Sequence, residues 1–324
     1  MTDRIRPAEV VTLGESMVLL QPLNEGPLAY APLFARSVAG AESNVAIGLS
    51  RLGLRVRWIS RLGADPFGDL IVSTLAGEGV DISFATRDET SPTAVYFKEF
   101  KGYGDPNVYY YRRHSAASGL KPEHIEDRWL ADARHLHVTG ITPALSRGAA
   151  ETVREVMRRA REKGMTVSFD PNLRRKLWSE EEARETLLSL IPLCDVFMPG
   201  IEEAEFLAGD RSVEECGSYF LGMGPRTVVL KLGADGAIGF DASSTVRAEP
   251  CRVSRVVDTV GAGDAFAAGF LSSWLPEGSS ALSSSLAKGN RMGALATQFR
   301  GDWEGLPKLK ELERLLAGQR ETTR

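Results

Sequence analysis

The sequence predicts an α/β fold, a doubly wound and mostly parallel sheet with helices on both faces, carrying a small extra β-sheet. Three observations lead there. Short apolar runs alternate with stretches of helical period, the order that parallel strands joined by helical crossovers produce. Two runs rich in Val, Tyr and Phe, Thr93–Phe100 and Val108–Arg113, break that rhythm. They flank the turn-forming Gly102, Gly104, Asp105 and Pro106, and so read as an antiparallel hairpin. Finally, 324 residues exceed the usual size of one simple layer and leave room for a large domain with an appendage.

The expected strands of the large sheet are Val10–Gly14, Val56–Leu62, His135–Thr139, Met165–Asp170, Asp195–Met198, Thr227–Lys231 and Ala237–Phe240. Between them, Glu42–Leu52 and Ala149–Lys163 place apolar side chains three and four apart, as in Val153, Val156, Met157 and Ala160. Ser179 followed by Glu182 has the spacing of a capping box, so a helix is expected from there to about Ile191. Arg158, Arg159, Arg161 and Lys163 gather near a helix end and read as a solvated face. Residues from about Val18 to Ala39, with Pro22, Pro27 and Pro32, lack helical period and are candidates for further strands of the extra sheet. The whole chain, 1–324, is then one domain with lid strands inserted at about 18–39 and 93–113. A small sheet projecting from such a core has the expected shape of a lid. Ser279–Ser285 reads as a loop running into a helix.

Composition narrows the function. Hydrophobic residues make up 43% and charged residues 25%, ordinary values for a globular enzyme. A formal charge of −4 argues against nucleic acid as a partner, because phosphate contacts need a basic surface. No apolar run approaches the roughly 20 residues that span a bilayer. The N-terminus lacks an apolar signal segment, so the expected location is the cytoplasm. Cys194, Cys216 and Cys251 are widely spaced and form no Cys-x-x-Cys pair, so they read as reduced and structural. His135 and His137 share one strand face, a pair that could bind metal, but no third ligand lies near them in sequence and the structural reading is preferred.

The strongest chemical signal is Gly261-Ala262-Gly263-Asp264, followed by Phe266, Phe270 and Trp274 at helical spacing. A glycine-rich turn that opens a helix leaves backbone N–H groups free at the positive end of the dipole, without a Cβ to block an anion. It reads as an anion hole for a phosphate. Asp264, in the first turn, would stand beside a transferring phosphoryl group and can accept the proton of an attacking hydroxyl. An aspartate there can also simply cap the helix and complement its dipole. In Ala39–Ala46, Gly40 permits close backbone approach, and Asn44 can cap a helix or bond a substrate hydroxyl.

The run Asp258–Asp264 resembles the C-terminal signature of the ribokinase-like, or PfkB-type, carbohydrate kinases. The rest of the chain matches in order. Ala39–Ala46 looks like the family's glycine-asparagine motif that contacts the sugar, Lys231-Leu232-Gly233-Ala234-Asp235-Gly236 is similar to the strand and turn flanking ATP, and Asn290 falls at an adenine-side asparagine. The resemblance implies a ribokinase-like fold, ATP with Mg²⁺, Asp264 as catalytic base, and Lys231, Gly233, Gly236 and Asn290 at the nucleotide. Gly14 joins the sugar-side candidates. One departure is Gly200-Ile201-Glu202-Glu203, where the family has Asn-x-x-Glu. Glu203 is retained as an indirect metal residue, while Gly200 replaces the asparagine. Asp258, with the backbone around Val260, resembles the family's monovalent-cation site, which would hold K⁺.

Within the family the chain most resembles 2-keto-3-deoxygluconate kinases, through Tyr109–Ser118 and Asp170–Trp178. The resemblance implies substrate contacts from Tyr110, Arg112 and Arg174, with Tyr96, Asp170 and Asn172 as further candidates. Arginine binds a carboxylate through two charge-assisted hydrogen bonds, which suits a sugar acid. The alternative is that Arg112 and Arg113 are edge-strand charges that discourage aggregation and that Arg174 is a surface loop residue. Alternative functions are a fructokinase, a phosphofructokinase-type enzyme and a catalytically silent sugar-binding regulator. The aromatic hairpin predicts a homodimer packed through the lids, or a higher homo-oligomer.

Overall fold

A computed structural model of the chain describes residues 7–99, 101 and 107–317. In chain order the strands are β1 (Val10–Leu13), β2 (Met17–Pro22), β3 (Phe34–Ala39), β4 (Val56–Gly63), β5 (Asp81–Asp88), β6 (Val95–Glu99), β7 (Asn107–Tyr111), β8 (His135–Thr139), β9 (Thr166–Asp170), β10 (Val196–Phe197), β11 (Thr227–Lys231), β12 (Ala237–Asp241) and β13 (Thr245–Ala248). The helices are α1 (Ala41–Arg51), α2 (Pro66–Gly77), α3 (Arg147–Glu162), α4 (Glu180–Leu190), α5 (Ile201–Ala208), α6 (Val213–Leu221), α7 (Ala262–Glu277), α8 (Leu282–Ala296) and α9 (Leu309–Leu316).

The large sheet runs β13-β12-β11-β10-β9-β8-β1-β4-β5. Pairings from β5 to β11 are parallel, and β12 and β13 add an antiparallel edge. All four residues of β1, Val-Val-Thr-Leu, are buried, because helices cover both faces of a parallel sheet and leave no side for polar alternation. From β1 the strand order proceeds in opposite directions, to β4 on one side and to β8 on the other. Loops at the carboxyl ends of strands flanking such a reversal part and leave a crevice, the usual ligand site of a doubly wound sheet.

The expected strands of the large sheet all form, within one or two residues. β5 and β13, unforeseen, extend its two edges. Only Phe84 and Asp88 of β5 are buried, which blurs its apolar signal. Ser179 caps α4 as its spacing predicted, accepting from the Glu182 N–H at 3.2 Å while Glu182 Oε2 accepts from the Ser179 N–H at 3.1 Å. The cations late in α3 are solvated: Arg158 pairs with Glu155 and Glu162, and Arg159 with Glu155. His135 and His137 bond the hydroxyls of Thr166 and Ser168 at 2.7–2.8 Å. Burial pushes both imidazoles well below their usual pKa, so both are neutral.

The small sheet has the order β3-β2-β6-β7. β6 and β7 pair antiparallel, as the hairpin reading required; its turn residues Gly102, Gly104, Asp105 and Pro106 lie outside the described residues. β2 runs directly on from the β1 end of the large sheet, and its Val18 pairs with Val95. The small sheet therefore projects from the carboxyl edge where the crevice lies.

Candidate active site

Asp264 lies in the first turn of α7 and is buried. Its Oδ2 accepts from Asn44 Nδ2 at 2.8 Å and its Oδ1 from Asn172 Nδ2 at 3.3 Å. The first contact follows from helix packing. Where α1 crosses α7, a Cβ on Gly48 would stand 2.7 Å from Ala268, so only glycine allows that approach. Asn44 and Asp264 each lie one turn earlier on their helices. Asn44 Oδ1 accepts the Gly40 N–H at 3.4 Å at the start of α1, and its NH₂ group holds the carboxylate. Asn172 follows Asp170-Pro171 at the end of β9 with φ of 37°, a left-handed conformation that Asn tolerates better than most residues.

Burial, assisted by the charge of Asp170, raises the pKa of Asp264 from 3.8 to about 7, against the opposing pull of the Asn44 hydrogen bond and the Arg174 charge. A carboxylate poised near neutrality is suited to general-base work. Lys231, at the end of β11, pairs with Asp170. Burial alone would lower its pKa, but Asp170 and Glu203 outweigh it and keep the ammonium above its ordinary value.

The glycines of the cradle divide in role. Gly261 caps α7 with φ of 81°, and a Cβ there would stand 2.1 Å from the Asp302 carbonyl oxygen; packing demands it. A Cβ on Gly263 would meet only Lys231 Nζ, at 3.7 Å. Gly263 and Ala262 border a cavity of about 850 Å³ lined also by Lys231, Gly233, Gly236 and Asn290. Gly236, at φ of 86° and with Ala248 O 2.3 Å from any Cβ, shapes the turn that forms one wall. Asn290 braces another wall, donating to the carbonyls of Ala248 and Glu249 at 3.1 and 3.0 Å. Gly263→Val is expected to lower turnover with little change in Tm, whereas Gly261→Val lowers Tm itself. Paired activity and circular-dichroism melts check this; full turnover in the Gly263 variant would remove that glycine from the cradle.

Other candidates are placed differently from expectation. Arg112 is buried and already paired, with Nε 2.8 Å and Nη2 2.6 Å from Glu15 Oε2, and Ser115 Oγ donates to Glu15 Oε1. Arg174 is exposed, with a 3.4 Å contact to its neighbour's carbonyl. The two arginines expected at the substrate thus differ: Arg112 already holds a carboxylate of this chain, and Arg174 is exposed. Tyr96 lies behind Tyr110, stacked on it at 5.6 Å, while Arg112 Cζ sits 5.4 Å from the Tyr110 ring centroid. Tyr110 and Arg112 line an open groove of about 560 Å³ with Arg113 and Lys176. Gly40 is packed against Glu15, whose carbonyl would lie 2.3 Å from a Cβ, and a Cβ on Gly14 would fall on the Glu42 carboxyl. Glu203 accepts the N–H groups of Gly200 and Leu173, both at 2.7 Å. Its Oε1 thus holds the loop that carries Asn172 and its Oε2 the start of α5, so both oxygens are engaged within the chain.

Sequence reasoning missed four charged groups. Glu15 follows Gly14 at the carboxyl edge of β1. Glu42, fully buried, accepts from Thr139 and Thr142 at 2.8 and 2.9 Å, and burial raises its pKa to about 6. Lys98 and Asp302 meet below the small sheet, with Lys98 Nζ 3.1 Å from both Asp302 Oδ1 and Asp258 Oδ2. A signal for Lys98 existed: two residues from Tyr96 on a strand, it shares that residue's face.

A poised carboxylate at a helix N-terminus, a lysine beside it and a cavity of nucleotide size, all at the reversal of a doubly wound sheet, are the parts of a phosphotransferase acting on a hydroxyl. Comparison with known proteins gives the same class. The pfkB family carbohydrate kinase description matches residues 7–309. A 2-dehydro-3-deoxygluconokinase of Bacillus subtilis (strain 168) is 43% identical over 96% of both chains, and one of Thermoproteus tenax is 35% identical over 96% of both. The crystal structure of a candidate ribokinase II from E. coli with ATP and Mg²⁺ superposes with a TM-score of 0.89 at 28% identity, covering 96% of this chain and 100% of that one. The chain belongs to the pfkB family of carbohydrate kinases. Among the described residues, no helix is long and apolar enough to cross a membrane.

Proposed function

We propose that the chain transfers the γ-phosphoryl group of ATP to the terminal hydroxyl of a sugar acid, 2-keto-3-deoxygluconate, giving its 6-phosphate. The observation that carries the choice of substrate is Arg174. Its guanidinium is exposed, close enough to Asp264 to lower that residue's pKa, and free to meet a carboxylate. Relatives bearing this activity in their names support the choice. The hydroxyl proton passes to Asp264, which Asn44 and Asn172 hold in place. The N–H groups of the first turn of α7 and the Lys231 ammonium receive the phosphoryl oxygens. Mg²⁺, arriving with ATP, neutralises phosphate charge. Among the described residues no cluster of three or more acidic, His or Cys side chains is placed to hold a metal by itself, which fits an ion that travels on the nucleotide.

The small sheet acts as the lid over the sugar. Its outer face carries exposed aromatic residues, Phe34, Tyr109 and Tyr111, with Phe34 and Tyr111 edge-on to Phe97. That surface suits a homodimer through the lids, which sedimentation velocity would read directly. Three free cysteines fit a reducing cytoplasm.

Arg112 already has Glu15 as its partner, so a neutral sugar leaves no buried guanidinium without a carboxylate there. What remains is the bond of Arg174 to the carboxylate, about 1.5–3 kcal/mol for a charge-assisted contact, or roughly ten- to a hundredfold in kcat/KM. In a panel of 2-keto-3-deoxygluconate, fructose, ribose and fructose 6-phosphate, the sugar acid is expected to lead by that factor. Arg174→Met should narrow the lead. A best rate with fructose, or an equal loss on every sugar, would show that Arg174 reads no carboxylate.

A further inference from the structure

Lys98 reaches from lid strand β6 into the core, and its side chain is 1% exposed. Its ammonium lies 3.1 Å from Asp258 Oδ2 and 3.1 Å from Asp302 Oδ1. The remaining oxygens of those carboxylates are also engaged: Asp258 Oδ1 accepts the Val260 N–H at 3.0 Å, and Asp302 Oδ2 receives the Tyr96 hydroxyl at 3.4 Å. Asp258 and Asp302 each adjoin the phosphate cradle. Asp258 stands three residues before Gly261, and the Asp302 carbonyl packs where a Gly261 side chain would be. Two buried carboxylates brought this close to one ammonium repel each other, and the cation between them offsets that repulsion.

Asp258 is the residue whose motif implies a monovalent cation. Its carboxylate does not fit that ion as the chain is folded, because one oxygen holds a backbone N–H and the other holds Lys98. A primary ammonium and a potassium ion carry the same charge and take similar oxygen neighbours. We infer that Lys98 is the resident cation of this enzyme: it stands in for the potassium ion, fixes the Asp258–Gly261 turn from which the cradle springs, and makes turnover independent of monovalent metal ions. Lys98 acts through Asp258 and Asp302 and does not touch the reacting atoms, so it is a positioning residue. Because it comes from the lid, the same contact fastens the lid to the cradle.

The inference rests on the phosphotransferase reading, which wild-type ATP turnover establishes before any cation is varied. The test compares kcat/KM in Mg²⁺ buffers whose monovalent cation is tetramethylammonium with the same buffers containing K⁺ or ammonium. Wild type is expected to change by less than about twofold, as a filled site requires, while Lys98→Met falls by about ten- to a hundredfold in tetramethylammonium, the usual loss when a supporting contact is removed. K⁺ or ammonium should restore much of that loss. A second readout needs no turnover: with a non-hydrolysable ATP analogue bound, K⁺ should raise the Tm of Lys98→Met and leave that of wild type unchanged. Wild type that depends on K⁺ would overturn the inference, and it can be measured even if the variant fails to fold. A folded variant that responds to neither K⁺ nor ammonium in either readout would overturn it as well.

Discussion

Asp264→Asn is expected to lower kcat by roughly two to four decades, the range for loss of a positioned general base, with ATP and sugar-acid affinity close to wild type. Asparagine keeps the shape of the side chain, and its Oδ1 can still accept from Asn44. The Asn172 amide can turn to present its oxygen to the new NH₂ group. What is lost is the acceptor for the hydroxyl proton. The same substitution should stabilise the enzyme at pH 8. The folded pKa of about 7 lies above the ordinary 3.8, so the folded chain holds this proton more tightly than the unfolded one. That contribution is fully present below the unfolded pKa, declines as pH rises toward 7 and is gone above it. At pH 8 wild type therefore carries a buried carboxylate at a penalty that the asparagine lacks. The Tm of the variant should exceed that of wild type there, with the gap closing toward pH 5. Steady-state kinetics and calorimetric melts read both effects; retention of more than about a tenth of turnover would take the base role from Asp264.

Lys231→Met has the second large effect, and it has two parts. Asp170, 2% exposed at its side chain, loses its ammonium partner, and breaking a pair of this kind destabilises by about 3–5 kcal/mol. Turnover should fall at least about a hundredfold beyond that, because a cation beside the cradle stabilises charge that develops on the phosphoryl oxygens. The two parts separate in measurement. Calorimetry at a temperature scale well below the variant's melt gives the folded fraction, and kcat per folded molecule gives the catalytic loss. A lowered Tm with turnover within tenfold of wild type would make Lys231 a structural residue only.

The sequence made some of this legible and hid the rest, for identifiable reasons. The Phe266, Phe270 and Trp274 spacing marked α7, and the glycines before it marked its opening, because both signals are local. The Val, Tyr and Phe runs of β6 and β7 stood out against the helical rhythm for the same reason. Asp65 and Pro66 are a start signal for α2, with Asp65 accepting from the Gly68 N–H at 2.8 Å, but the helix that follows has a weak apolar period and was not expected. Partnerships across the chain were hidden. Glu15 and Arg112 lie 97 residues apart, and Lys98 and Asp302 lie 204 apart. Periodicity reports which face a residue occupies and says nothing of what waits there. Arg112 therefore read as a substrate contact or an edge-strand charge in the sequence, while the fold had already paired it with Glu15. Gly40 and Gly14 likewise read as room for a ligand, and the fold fills that room with Glu15 and Glu42.

The pH dependence of kcat/KM for 2-keto-3-deoxygluconate, in wild type and in Asn44→Ala, tests the central claim most directly. Below about pH 7 Asp264 is protonated and cannot accept the hydroxyl proton, so kcat/KM should rise about tenfold per pH unit and level off above 7. The Asn44 hydrogen bond lowers the Asp264 pKa, so its removal should move the rising limb to higher pH. A titration of the nucleotide phosphate could mimic the wild-type limb, but it would ignore Asn44. The account predicts a limb near pH 7 that shifts upward in the variant; a flat profile, or a limb at the same pH in both proteins, would contradict it.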